Sequence, residues 1–103
     1  HYMVAVAGGD DVPCVPYHAF GSPALAQGVA EALQDRNACL LVHHGLVAGG
    51  ATLAHALRLA IEIESLCEVY LKTLAVAEPR TLSSTEMAEV LAKFSRYGRA
   101  RRG

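Results

Sequence analysis

The chain has 103 residues, 52% of them hydrophobic and 18% charged, with a formal net charge of −1. That is room for one domain at the lower end of the usual size range, and it carries no overall charge that would draw it to nucleic acid or acidic membranes. A short chain this apolar is expected to cover part of its surface with a partner.

The three cysteines, Cys14, Cys39 and Cys67, are odd in number and widely spaced. They suit neither a disulfide framework nor a zinc knuckle, and the expectation is buried free thiols in a reducing compartment. No apolar run approaches the roughly 20 residues of a membrane span, and no signal-peptide pattern is present, so a cytoplasmic location is expected. The opening HYMVAVAGG has no initiator methionine and runs straight into apolar residues. It is expected to be cut from something longer.

Residues 3–7 (MVAVA) are a short apolar segment ended by GGDD, and their periodicity does not separate strand from helical turn. VPCVPY, residues 12–17, carries two prolines and suits an extended edge or a bulged strand. A helix is then expected to start at Ser22, a good N-cap, with Pro23 at the first helical position, where its missing N–H costs nothing. Leu25, Ala26, Val29, Ala30 and Leu33 fall on one face of it.

Residues 38–45 (ACLLVHHG) read as a buried strand bounded by turn signals, and GLVAGG, residues 45–50, reads as a turn. The strongest element is a helix over residues 52–74. Leu53, Leu57, Ala60, Ile61, Glu64, Cys67, Tyr70, Leu71 and Leu74 follow helical spacing, and Ile63 and Leu66 widen the apolar stripe. Such a stripe suits a helix packed on a sheet and on a neighbouring subunit. Ser83 with Glu86 makes a capping box, and Leu82 with Met87 has the spacing of a hydrophobic staple at the start of a final helix that stops at Gly98. The tail beyond, with Arg96, Arg99, Arg101 and Arg102 in RYGRARRG, is expected to be a solvated terminus rather than a binding patch. No internal repeat or low-complexity stretch appears, and the class is α/β.

Strand alternation would send His43 and His44 to opposite faces, so at most one of them is expected to do chemistry. A strand-end histidine often just hydrogen-bonds a loop. The functional reading has its own logic, because a sheet fixes side chains at strand ends while the adjoining loop admits substrate. Catalytic zinc needs about three converging protein ligands. His1, His18 and His55 are the other imidazoles, and no H-x-H, H-x-x-E-H or H-E-x-x-H spacing occurs. Spacing alone therefore assigns no metal. GGDD and GLVAGG lack the order of a dinucleotide or P-loop fingerprint, there is no G-x-S-x-G elbow, and Glu62, Glu64 and Glu68 read as a solvated charge cluster.

Taken together, HYMVAVAGG, VPCVPYHAFGSPALA, ACLLVHHGLVAGG, TLAHALRLAIEIESLCEVYLKTLAVAEP and LSSTEMAEVLAKFSRYG, in that order and nearly without gaps, resemble the C-terminal half of a class II (zinc-dependent) aldolase of the L-fuculose-1-phosphate aldolase type. The resemblance implies part of a three-layer α/β/α sandwich with a mostly antiparallel central sheet, in a C4 homotetramer with active sites between subunits. It implies that His44 is a zinc ligand, with His43 in a structural or supporting role. It implies that Tyr2 reaches a neighbouring subunit's site and handles a proton on the aldehyde oxygen, that Phe20 lines the aldehyde pocket, and that Tyr97 closes over the same site. Zn2+ would polarise dihydroxyacetone phosphate as the enediolate forms, and a phenol would protonate the developing alkoxide.

The resemblance places the H-x-H ligand pair, the catalytic base and the phosphate loops in an N-terminal half that these residues do not include. On that basis the chain alone is expected to be inactive. Two other readings share the scaffold: a ribulose-5-phosphate 4-epimerase type of enzyme, and a non-catalytic aldolase-like assembly module such as the adducin head. VPCVPYHAFG and KFSRYG favour the fuculose-phosphate reading, and His44 with Tyr2 disfavours the scaffold.

Overall fold

A computed structural model describes the backbone of residues 1–100 and the side chains of residues 1–96. The undecided first segment is a 3₁₀ helix, Tyr2–Ala7, rather than a strand. The His1 imidazole caps it by accepting from the Met3 N–H at 3.1 Å. Gly8 ends it at φ 95°, a left-handed conformation in which a Cβ would be strained.

Strand β1 is only Cys14–Val15, because Pro13 and Pro16 on either side have no N–H to give a ladder. The chain then turns into helix α1 (Pro23–Ala32), with the Ser22 hydroxyl accepting from the Leu25 N–H at 3.2 Å, as the sequence predicts. Strand β2 is Ala38–Leu41. It ends earlier than expected, and GLVAGG is not all turn: Gly45–Ala48 form strand β3, antiparallel to β2 with Ala38 opposite Ala48 and Leu41 opposite Gly45. β1 lies on the other side of β2 and runs parallel to it, so the order is β1-β2-β3 and the sheet is mixed.

Alternation along β2 and β3 divides the core between two faces. Ala38, Leu40, Leu46 and Ala48 meet Ala7 of the 3₁₀ helix and Ile63 of helix α2 (Leu53–Leu74). Cys39, Leu41 and Val47 meet Val15 and the underside of α1, through Leu25, Val29, Ala32 and Leu33. Helices thus cover both faces of the three strands. Ala26 and Ala30 of α1, expected on its packed face, are exposed.

Helix α2 starts at the Thr52 cap, whose hydroxyl accepts from the His55 N–H at 3.1 Å. Its packed side differs from the expected one. Ile63 is fully buried, with Leu59, Leu66 and Cys67 beside it, whereas Leu53 is 90% exposed and Leu57, Ile61 and Leu71 also face outward. Helix α3 (Ser84–Ala100) lies against the 3₁₀ helix. Its capping box forms in both directions: Ser83 N–H donates to Glu86 Oε1 at 3.2 Å, and Glu86 N–H donates to Ser83 Oγ at 3.1 Å. Met87 is buried while Leu82 remains exposed. The helix runs two residues past the expected stop at Gly98, to Ala100. Among the described residues no helix is long and apolar enough to cross a membrane.

Candidate functional site

Because β1 and β2 are parallel, the segments that leave their C-terminal ends emerge at one end of the sheet. The Val42 N–H donates to the Val15 carbonyl at 3.2 Å and ties the two exits together. From there β2 reverses into β3 through three residues, Val42, His43 and His44. The His44 N–H donates to the Leu41 carbonyl at 3.0 Å, closing a four-residue turn. His43, its third residue, has φ 58°, the left-handed value that a type II turn needs there.

This corrects the expected alternation. The two histidines are not consecutive residues of a strand but part of a hairpin turn, and both side chains are exposed. His43 has its own neighbour: the Tyr17 ring, just past β1, meets it edge-on with centroids 6.0 Å apart and planes at 73°. His44 has no ring or hydrogen-bond partner to its side chain among the described residues.

Phe20 lies in the loop from β1 to α1 and is 88% exposed, so it is no part of the core. Tyr2 is half exposed on the 3₁₀ helix with its ring against His1, centroids 4.6 Å apart. No hydrogen bond or ring contact joins Tyr2, Phe20 and His44 among the described residues. Tyr97 belongs to α3, and its side chain lies outside the described residues.

An exposed imidazole on a turn anchored at both ends is a donor of the right kind for zinc, but zinc takes three or four protein ligands. Among the described residues no group of three His, Cys, Asp or Glu side chains is placed to hold a metal.

The cysteines divide. Cys39 is buried and Cys67 half-buried, but Cys14 is exposed, against the expectation that all three are inside. Burial pushes the Cys39 thiol above its ordinary pKa, Cys14 nearby adds to the rise, and a backbone hydrogen bond from Val47 opposes it. Cys67 is raised by burial and by the Glu64 carboxylate. Both stay protonated and unreactive near neutral pH. Two open recesses of about 670 and 690 Å³ lie on the α2 side of the molecule, one lined by Met3, Asn37, His55 and Arg58, the other by Leu40, Ile63, Cys67 and Tyr70. Neither includes His44.

The sequence reading missed Tyr17, whose place beside His43 follows from the parallel pairing of β1 with β2. That pairing joins segments some 25 residues apart and leaves no local signal.

Helices on both faces of a mixed sheet define an α/β protein, and the two histidines sit on the turn at one end of that sheet. The particular lineage follows from comparison. Residues 1–71 match the family described as Class II Aldolase and Adducin N-terminal domain, and the chain belongs to that family. It is similar to an L-fuculose phosphate aldolase from Escherichia coli, with 52% identity over 99 residues, 95% of this chain and 46% of the relative. It is also similar to a 5-methylthioribulose-1-phosphate/5-deoxyribulose-1-phosphate aldolase from Rhodospirillum rubrum, 48% identical over 95% of this chain and 44% of the relative. A solved structure of L-fuculose 1-phosphate aldolase superimposes with a TM-score of 0.87 at 37% identity, covering 92% of this chain and 44% of that one. The chain therefore has the fold of the matched part of that enzyme, and it spans about half the length of the curated relatives it matches.

Proposed function

We propose that residues 1–103 are the C-terminal half of a single class II aldolase domain, and that the whole protein reversibly cleaves a sugar 1-phosphate such as L-fuculose 1-phosphate into dihydroxyacetone phosphate and an aldehyde. The observation that carries this reading is the placement of His44. Its imidazole stands exposed on a turn held by two backbone hydrogen bonds, in a chain of this family whose relatives include sugar-phosphate aldolases. In the complete domain, a three-layer α/β/α sandwich with a mostly antiparallel sheet, His44 is one donor to a zinc ion whose other ligands lie outside residues 1–103.

Tyr2 handles the proton on the aldehyde oxygen. A phenol can give a proton to the alkoxide as carbon–carbon bond formation proceeds and take it back in cleavage. Its separation from any contact with His44 suits a role in a neighbouring subunit's site. Phe20 and Tyr97 contact the aldehyde portion of the substrate, and the exposure of Phe20 leaves its ring available for that. The outward-facing Leu53, Leu57 and Ile61 of α2 support burial against a partner surface, and the assembly we propose is a C4 homotetramer in the cytoplasm.

The test is to assay the complete protein with L-fuculose 1-phosphate, following release of dihydroxyacetone phosphate, and to measure zinc per chain by elemental analysis. Cleavage with near-stoichiometric zinc is expected, with both lost in His44→Ala and zinc still bound, though more weakly, in His43→Ala. Equal zinc loss in the two variants would overturn the ligand assignment. Interconversion of pentulose 5-phosphates without release of product would make it an epimerase, and neither activity with no bound zinc would make it an assembly module.

A further inference from the structure

We propose that His43 and Tyr17 are positioning residues that fix the direction in which His44 projects; the value of that direction rests on the reading of His44 as a functional side chain. The argument begins with the backbone. A turn closed by the His44 N–H on the Leu41 carbonyl, with φ 58° at its third residue, is one that glycine fills without penalty and asparagine with less than other residues. A side chain with a Cβ is strained there, and His43 is the one non-glycine residue at positive φ among the described residues. Glycine would relieve the strain. It would also free the peptide that joins residues 43 and 44, and with it the Cα–Cβ direction of His44.

The Tyr17 ring supplies what a strained residue needs in order to persist, a contact that holds it in place. Edge-on packing at 6.0 Å and 73° is a favourable geometry for two rings. Tyr17 is itself anchored, two residues beyond Val15, whose carbonyl receives the Val42 N–H of the same turn. The imidazole of His43 is thus clamped to the end of β1 while its backbone steers the next residue. Both rings are exposed, so the pair is not part of either core cluster. Its removal is expected to disturb the turn far more than the fold.

The variants Tyr17→Ala, Tyr17→Phe, His43→Gly and His44→Ala in the complete protein separate these ideas. Two readouts are taken: the His44 ring resonances by NMR in the metal-free protein, and zinc affinity by competition with a chelator. One well-resolved set of His44 signals is expected in the native protein and in Tyr17→Phe, which keeps the ring edge. Averaged signals are expected in Tyr17→Ala and His43→Gly, with zinc affinity about 10-fold to 100-fold weaker, the range found when a group supporting a ligand is removed. Thermal midpoints of the metal-free variants should stay close to the native value. Unchanged His44 signals in both variants would overturn the proposal. If His44→Ala keeps its zinc while Tyr17→Ala averages the signals, the positioning role stands and the ligand reading falls.

Discussion

Gly28 of α1 faces Val15 of β1, and adding one methyl group there should reveal how tightly that layer is packed. A Cβ at Gly28 would stand 2.6 Å from Cγ1 of Val15. Val15 cannot yield easily, since it is buried, β-branched, and enclosed by Cys39 and Leu41. Two effects of opposite sign compete. Alanine is a better helix former than glycine by about 1 kcal/mol in a helix interior. Forcing a methyl into a filled contact costs about 1–3 kcal/mol. The overlap is deep enough that the second should win, giving a net loss of up to about 2 kcal/mol for Gly28→Ala. In a chain of 150–250 residues that is a fall of about 2–4 °C per kcal/mol, read by differential scanning fluorimetry on the complete protein. The double variant Gly28→Ala, Val15→Ala makes the reasoning specific, because the new methyl then enters the space vacated by Cγ1. It should lose less than the two single variants combined, by about 0.5–3 kcal/mol. A rise in midpoint for Gly28→Ala alone would refute the close contact, since helix propensity would then be the only effect left. The contact also bears on the site: Val15 receives the hydrogen bond from Val42, so a displaced β1 would carry the histidine turn with it.

Three further outcomes are expected. Ser83→Ala removes one half of the capping box and should cost about 1 kcal/mol, with faster amide exchange at the start of α3 as the direct readout. Of the three thiols here, Cys14 should react with a disulfide reagent at pH 8 and Cys39 and Cys67 only in denaturant, as judged by peptide mapping. Because the folded thiols ionise at higher pH than unfolded ones, their contribution holds below about pH 8.5 and is lost as the pH rises from there; a double Cys39→Ala, Cys67→Ala variant should show a shallower alkaline decline. Tyr2→Phe should leave zinc content unchanged and slow cleavage by about 10²-fold or more, and unaltered turnover would remove the phenol from the mechanism.

The helices were legible because their ends are written in local chemistry. Ser22 with Pro23, Thr52, and Ser83 with Glu86 each cap the helix that the sequence predicts. What local chemistry does not encode is which side of an all-round apolar helix is packed. Leu53, Leu57 and Ile61 follow helical spacing as well as Ile63, Leu59 and Leu66 do, and only the sheet's position selects between them. The same limit hid β3. Its four residues GLVA, flanked by glycines, become a strand because β2 is beside them, and the propensity signal in so short a run is small. Only a single strand over residues 38–45 would place the two histidines on opposite faces by alternation. They lie instead in a turn with a left-handed residue at His43, so no pleat sets their directions.

The candidate site residues were proposed only through resemblance, and their surroundings explain why. A catalytic side chain read from first principles declares itself by convergence, through a partner, a shared cavity or a cluster of donors. None of that surrounds His44, Phe20 or Tyr2 among the described residues: all three are exposed, and no metal-holding group forms around the turn. Single residues that project from a well-packed frame have little reason to be there on stability grounds. Phe20 loses the benefit of burial, and His43 carries a strained backbone to turn the chain beneath His44. Such costs are sensible if the surface that meets these side chains belongs to other parts of the assembly. The exposed Leu53, Leu57 and Ile61 on α2 pose the same requirement, and they are among the large apolar side chains that the described residues leave on the outside. On the proposed function, the core of this chain would be the support for a site whose remaining walls lie outside residues 1–103.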